Sequence, residues 1–229
     1  MRHLFGLAVL ASAWSVCSLA GAAETGFELG GRISYAVPFG KVAAENDRVE
    51  DYDMGYWVAS QVVPLQLDVG YRVSPRLFVG GYFSYGTVQV GDVCDSDEFD
   101  DIACDSRDVR TGAQVTYHFS SPKENAGWVG AGLGYEWLTI RQRVSAGSVE
   151  TWRSDTYHGF EANAAAGYDF SATDYVRIGP YAQIGLGQFR GISSEVENEL
   201  ENGTRRIELD DKALHGWVMF GFKVSVGPL

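Results

Sequence analysis

Hydrophobic and polar residues alternate with a period of two through most of the chain. Leu65, Leu67, Val69, Tyr71 and Val73 are interleaved with Gln66, Asp68, Gly70 and Arg72. Val109, Thr111, Ala113, Val115, Tyr117 and Phe119 alternate with Asp108, Arg110, Gly112, Gln114, Thr116 and His118, and the pattern returns from Val176 to Gly187. Successive strand residues face opposite sides, so each run is a strand with one oily face and one that is charged or bare. The alternation predicts eight strands, near 26–38, 60–73, 77–90, 107–119, 127–142, 156–170, 175–189 and 213–226. Their lengths suit tilted membrane strands, which need roughly 9 to 11 residues. Ser74-Pro75-Arg76, 120–126 and 171–174 read as short turns, while 39–59, 91–106, 143–155 and 190–212 read as long loops. Short connections on one side and long ones on the other predict an all-β fold. Its form is an eight-stranded antiparallel up-and-down transmembrane β-barrel with short periplasmic turns and long extracellular loops.

A soluble barrel would use the same alternation with the oily face turned inward. Glycine decides between the two. Gly80, Gly86, Gly130, Gly132, Gly134, Gly185 and Gly187 all share a face with charged residues, as a narrow lumen filled by side chains requires and a wet outer surface does not. Aromatic residues agree: Tyr117, Phe119, Tyr168, Phe170 and Tyr175 sit beside short turns, and Tyr85, Trp137 and Phe189 toward the opposite strand ends, as two interfacial belts would.

The start of the chain reads as export. Arg2 and His3, the apolar run from Leu4 to Ala13 and the small residues Ala20 to Ala23 predict a signal peptide over 1–23, leaving one barrel domain over 24–229. Beyond it no apolar run reaches about 18 residues, so any membrane crossing is made by strands. Cys94 and Cys104 are then an even pair in an oxidising compartment, and a disulfide between them is expected. A formal net charge of -12 with no basic stripe argues against nucleic acid as a partner.

The lumen-facing positions carry both signs: Glu28, Arg32, Asp68, Arg72, Asp108, Arg110, Glu136, Glu161, Asp169, Arg177 and Lys223. An eight-stranded barrel is just wide enough for side chains to fill it, and unpaired buried charge is costly, so these groups are expected to pair into a polar plug. Arg110, Glu136 and Glu161 should meet toward the long-loop side, and Asp169 should face Arg177 across a short hairpin. Breathing of such a network would instead make a narrow ion conduit. The loop holding Asp95, Asp97, Glu98, Asp100 and Asp101 could bind a hard divalent cation, although it lacks EF-hand spacing and reads first as a solvated acidic loop. Around Asn202-Gly203 a hairpin is expected, with the last two strands running on beyond the bilayer.

No catalytic constellation stands out. His118 and Ser120 flank a short turn, far from the outer leaflet, and His158 and His215 have no evident nucleophile beside them. With these strands, turns and lumen charges, the chain resembles the small outer-membrane barrels of the OmpA, OmpX and OmpW type over essentially all of its length after residue 23. The resemblance implies a bacterial outer-membrane location, assembly by the barrel-assembly machinery and contact with outer-membrane lipid and lipopolysaccharide, with divalent ions bridging acidic loops. A plugged lumen and charged loops facing outward favour a structural or surface-interaction role without a cofactor, with a conduit or a lipid A-modifying enzyme as the alternatives.

Overall fold

A computed structural model of the chain describes residues 25–42, 54, 61–89, 102–120, 124–146, 149–197, 202–208 and 213–228. Among these run nine strands: β1 (Gly26–Gly40), β2 (Gln61–Ser74), β3 (Leu77–Gln89), β4 (Ile102–His118), β5 (Ala126–Ala146), β6 (Val149–Ser171), β7 (Val176–Glu197), β8 (Asn202–Glu208) and β9 (His215–Val226). Strands β1 to β7 pair consecutively and antiparallel, β7 pairs with β9, and β9 returns to β1. Eight strands thereby close a ring. Closure is what a bilayer demands, because an open edge would leave backbone N–H and C=O groups in hydrocarbon. β8 pairs with the upper end of β7, end to end with β9 along the same flank: Gly191 opposes Glu208, and Gly187 opposes His215.

The two faces are sorted as a membrane requires. Leu133 is 71% exposed, Phe222 60% and Leu65 58%, whereas Arg72, Asp108, His118 and Glu136 are fully enclosed. Tyr117 and Phe119, and likewise Tyr168 and Phe170, touch ring to ring on the exterior beside the short turns. Tyr85 and Trp137 are exposed toward the other end, but Phe189 does not join them. It shares the parity of Gln183, Gly185 and Gly187, points into the barrel and stacks on His215 at 3.8 Å between ring centroids.

Several connections differ from the sequence expectation. Strands β5, β6 and β7 are 21, 23 and 22 residues long, about twice what a crossing needs, so they extend well beyond the wall. The segment 143–155 is therefore not a long loop: β5 and β6 pair as far as Ala146 and Val149, held by cross-strand contacts such as Arg141 and Arg143 over Trp152. β4 begins at Ile102, inside the expected loop 91–106, and pairs there with Val144. Asn202 and Gly203 are not the hairpin tip. They are paired with Glu197 and Val196 within the β7–β8 ladder, where continued ladder bonds outweigh the local turn preference. The loop carboxylates Asp95, Asp97, Glu98, Asp100 and Asp101, the Cys94 half of the expected disulfide and residues 1–24 lie outside the described residues.

Two irregularities in the β6–β7 ladder have local causes. Pairing is interrupted between Gly167–Tyr181 and Phe170–Ile178, where Pro180 has no N–H to give. Higher up, Phe189 opposes Gly159 while Gly191 opposes His158, so Arg190 is the extra residue of a β-bulge.

Candidate functional site

The lumen holds the densest chemistry among the described residues. All eleven charged residues expected there, Glu28, Arg32, Asp68, Arg72, Asp108, Arg110, Glu136, Glu161, Asp169, Arg177 and Lys223, lie inside the barrel and are at most 5% exposed. Inward parity on consecutive strands puts them there, and the registers stack them in three tiers.

Nearest the short turns, Glu28 of β1 accepts from two cations. Arg72 reaches it through Nε at 2.8 Å and Nη2 at 2.5 Å, and Arg177 Nη2 at 3.1 Å. Arg72 also donates to the Pro75 carbonyl at 3.1 Å, tying the first short turn to the lumen. Asp169 is the second anchor, approached by Lys223 Nζ at 3.2 Å, Trp128 Nε1 at 2.9 Å and the His118 ring at 3.3 Å. Asp169 and Arg177 therefore do not form the expected direct pair: each turns to a partner on another strand that offers a closer atom.

In the middle tier Arg32 Nε donates to Asp68 Oδ2 at 2.7 Å and Nη2 to Gln114 Oε1 at 2.9 Å. Its guanidinium lies over Trp128 and Tyr181, 5.6 and 5.4 Å from the ring centroids. Tyr82 lies along the inner wall over Gly112 of the adjacent β4 and Gly134 of β5, and Asn163 Nδ2 of β6 donates to its hydroxyl at 3.2 Å. A Cβ at either glycine would collide with this ring, so here the lumen glycines serve as space for a partner's side chain. Between this tier and the lower one, Glu28, Arg32, Asp68, Phe78 and Lys223 are among the residues around a cavity of about 10 Å³, room for about one water molecule.

Toward the outer mouth, Arg110 is shared by three carboxylates: Asp108 at 2.7 Å, Glu161 at 3.2 Å and Glu136 at 3.5 Å. Glu136 also accepts from Trp217 Nε1 at 2.8 Å and lies 2.8 Å from His215 Nε2. Arg110 sits 4.7 Å from the Trp217 ring centroid. Above these groups Ala36, Met54, Val62, Leu138, Phe189 and Trp217 belong to one buried apolar cluster. The charged tiers are thus covered from the outside by oil, within a barrel whose own exterior is oil.

Charge marked the lumen in the sequence, and the aromatic part of the filling was missed. Trp128, Tyr181, Phe78, Tyr82 and Trp217 are lumen residues. Parity was the available signal, since Trp217 and Met219 stand in step with Lys223 and Ser225. Of the remaining residues considered for chemistry, His118 is bound to Asp169, His158 contacts the Tyr135 hydroxyl at 2.7 Å on the exterior, and Cys104 sits in β4 with its backbone opposite Gln142. Among the described residues no group of His, Cys, Asp and Glu has the arrangement to hold a metal ion, and no helix is long and apolar enough to cross a membrane.

A closed antiparallel barrel with an apolar exterior and a charged, filled interior defines the class: a bacterial outer-membrane β-barrel. The sequence matches the family described as autotransporter beta-domain over residues 39–194, and the chain belongs to that family. Among solved structures it is similar to a major outer membrane protein from Thermus thermophilus. The identity is 11%, 87% of this chain and 98% of that one are covered, and the TM-score is 0.51, a likeness of fold. Neisserial surface protein A matches with 13% identity over 90% and 99% of the two chains (TM-score 0.44). The N-terminal β-barrel domain of Pseudomonas aeruginosa OprF matches with 14% identity over 86% and 96% (TM-score 0.39). No curated protein matches the sequence.

Proposed function

We propose that this outer-membrane barrel is a closed, non-enzymatic one, whose role is structural or is played at its outer surface. The observation that carries the reading is the three-tier filling. Ion pairs at all three levels, the middle one also holding the cation–aromatic layer, occupy the bore, and the apolar cluster lies over them. An ion entering this path would have to displace Arg110 from three carboxylates at once. Planar-bilayer recording tests the reading: the purified protein is expected to be silent, and discrete openings would overturn it.

The narrow-conduit reading has one specific observation in its favour, the sharing of a single guanidinium among Asp108, Glu136 and Glu161. If the pairs exchange, Arg110→Ala alters an existing conductance; if the plug is rigid, there is none to alter. The non-enzymatic reading is supported by where two of the histidines are. His118 and His215 are engaged with Asp169 and Glu136 inside a filled lumen, away from any lipid substrate. Overproduction is expected to leave the mass of lipid A unchanged, and a shifted lipid A mass would return the enzyme to consideration.

A further inference from the structure

The cavity of about 10 Å³ between the lower and middle tiers is lined by polar side chains of two kinds. Some have their hydrogen bonds filled by protein. Arg32 donates to Asp68 and Gln114, Asp68 also accepts from Gln66, and the His118 ring meets Asp169 at one nitrogen and Arg72 at the other. Others keep capacity in reserve. Glu28 takes Arg72 and Arg177 entirely on Oε2, which leaves Oε1 with none of these donors. Lys223 has three ammonium protons, of which Asp169 takes one at 3.2 Å. Thr116 is 3% exposed, yet its hydroxyl takes part in none of the hydrogen bonds among the described residues.

These three come from opposite walls of the barrel. Lys223 is on β9 and Glu28 on its neighbour β1, whereas Thr116 is on β4, separated from β9 by three strands in either direction round the ring. Together they offer a charged donor, a charged acceptor and a hydroxyl that can be either. Among the charged lining residues Arg32 and Lys223 balance Glu28 and Asp68, so an ion would enter an enclosed site with no opposite charge left to compensate it. The volume admits about one water molecule, and a buried water makes about three hydrogen bonds. The ligand that fits is therefore small, neutral and both donor and acceptor.

We infer that this cavity is a binding site for a single water molecule, which accepts from Lys223 Nζ, donates to Glu28 Oε1 and bonds the Thr116 hydroxyl. The water braces β9 and β1 against β4 across the bore and joins the lower tier to the middle one. It is a fixed component of the filling, held by three side chains that otherwise leave hydrogen-bonding capacity unused. The site is independent of whether the bore conducts: planar-bilayer recording tests closure, and electron density tests the water.

The test is a crystal structure of the protein extracted from outer membranes, at a resolution that shows ordered water. The crystals are grown in sodium bromide and the data collected at the bromine absorption edge. One density peak is expected in the cavity, about 2.5–3.2 Å from Lys223 Nζ, Glu28 Oε1 and Thr116 Oγ1, with no anomalous signal. A cavity without density, or one with a bromine signal, would overturn the proposal on the wild-type protein alone. Thr116→Val keeps the shape of the side chain and removes the hydroxyl, so the peak is expected to be lost. An undiminished peak in that variant would also overturn the bridge, and its gel mobility before boiling reports that its barrel has closed.

Discussion

Glu28 accepts from Arg72 and Arg177 at once, so one carboxylate keeps two enclosed guanidiniums compensated. Glu28→Gln keeps the shape and removes the charge, leaving two cations in a low-dielectric bore. The expected loss is about 3–5 kcal/mol, the range for breaking a buried pair by deleting one partner, measurable by urea unfolding from lipid vesicles. The same change at Asp155, whose partner Arg153 is largely exposed, should have little effect. Tyr82 poses the complementary problem of space. Its ring lies against Gly134 and Gly112, and Gly134→Val should force it aside at about 1–3 kcal/mol, the ordinary range for overpacking. A variant as stable as the wild type in that unfolding assay would show that Tyr82 has another position to occupy.

The long strands have two regimes. Within the bilayer each strand is held by ladder bonds on both sides and by the exclusion of water. Beyond it β5, β6 and β7 continue as a sheet whose backbone bonds meet solvent. Amides of β5 and β6 near the Ala146–Val149 end are therefore expected to exchange with deuterium much faster than those near Leu133 and Ala162, a gradient read by hydrogen exchange in detergent micelles. Uniform protection along both strands would mean that the protruding end is covered. Leu133 is the deep, lipid-facing counterpart of this region, and Leu133→Arg should cost about 2–4 kcal/mol in folding, as a cation does near the midplane of a barrel wall. Arg143→Leu, at the outer end of the same column, should be tolerated.

For the molecule as a whole, closure makes the wall all-or-none: β9 pairs with both β1 and β7, so losing its register opens two seams together. Protein extracted from outer membranes is expected to migrate faster unboiled than boiled. Coincident mobility would mean that the ring does not survive extraction. The interior and exterior are also decoupled. Charge pairs lock the bore while oily side chains form the exterior, so a variant that disturbs one should leave the other intact and measurable.

Alternation alone determined the strands, their number in the wall and the sorting of the faces. A period of two leaves no freedom once one face must meet lipid, and the eleven lumen charges were legible from Glu28 to Lys223 for the same reason. Only the tertiary structure decided which charge meets which, because partners such as Glu28 and Arg177, 149 residues apart, are matched by barrel register and by the height at which each side chain ends. It also decided where the hairpins turn and that Phe189 points inward to His215. Ladder bonds between long strands override the local preference of Asn202-Gly203, and ring closure fixes the inward direction that local sequence leaves open.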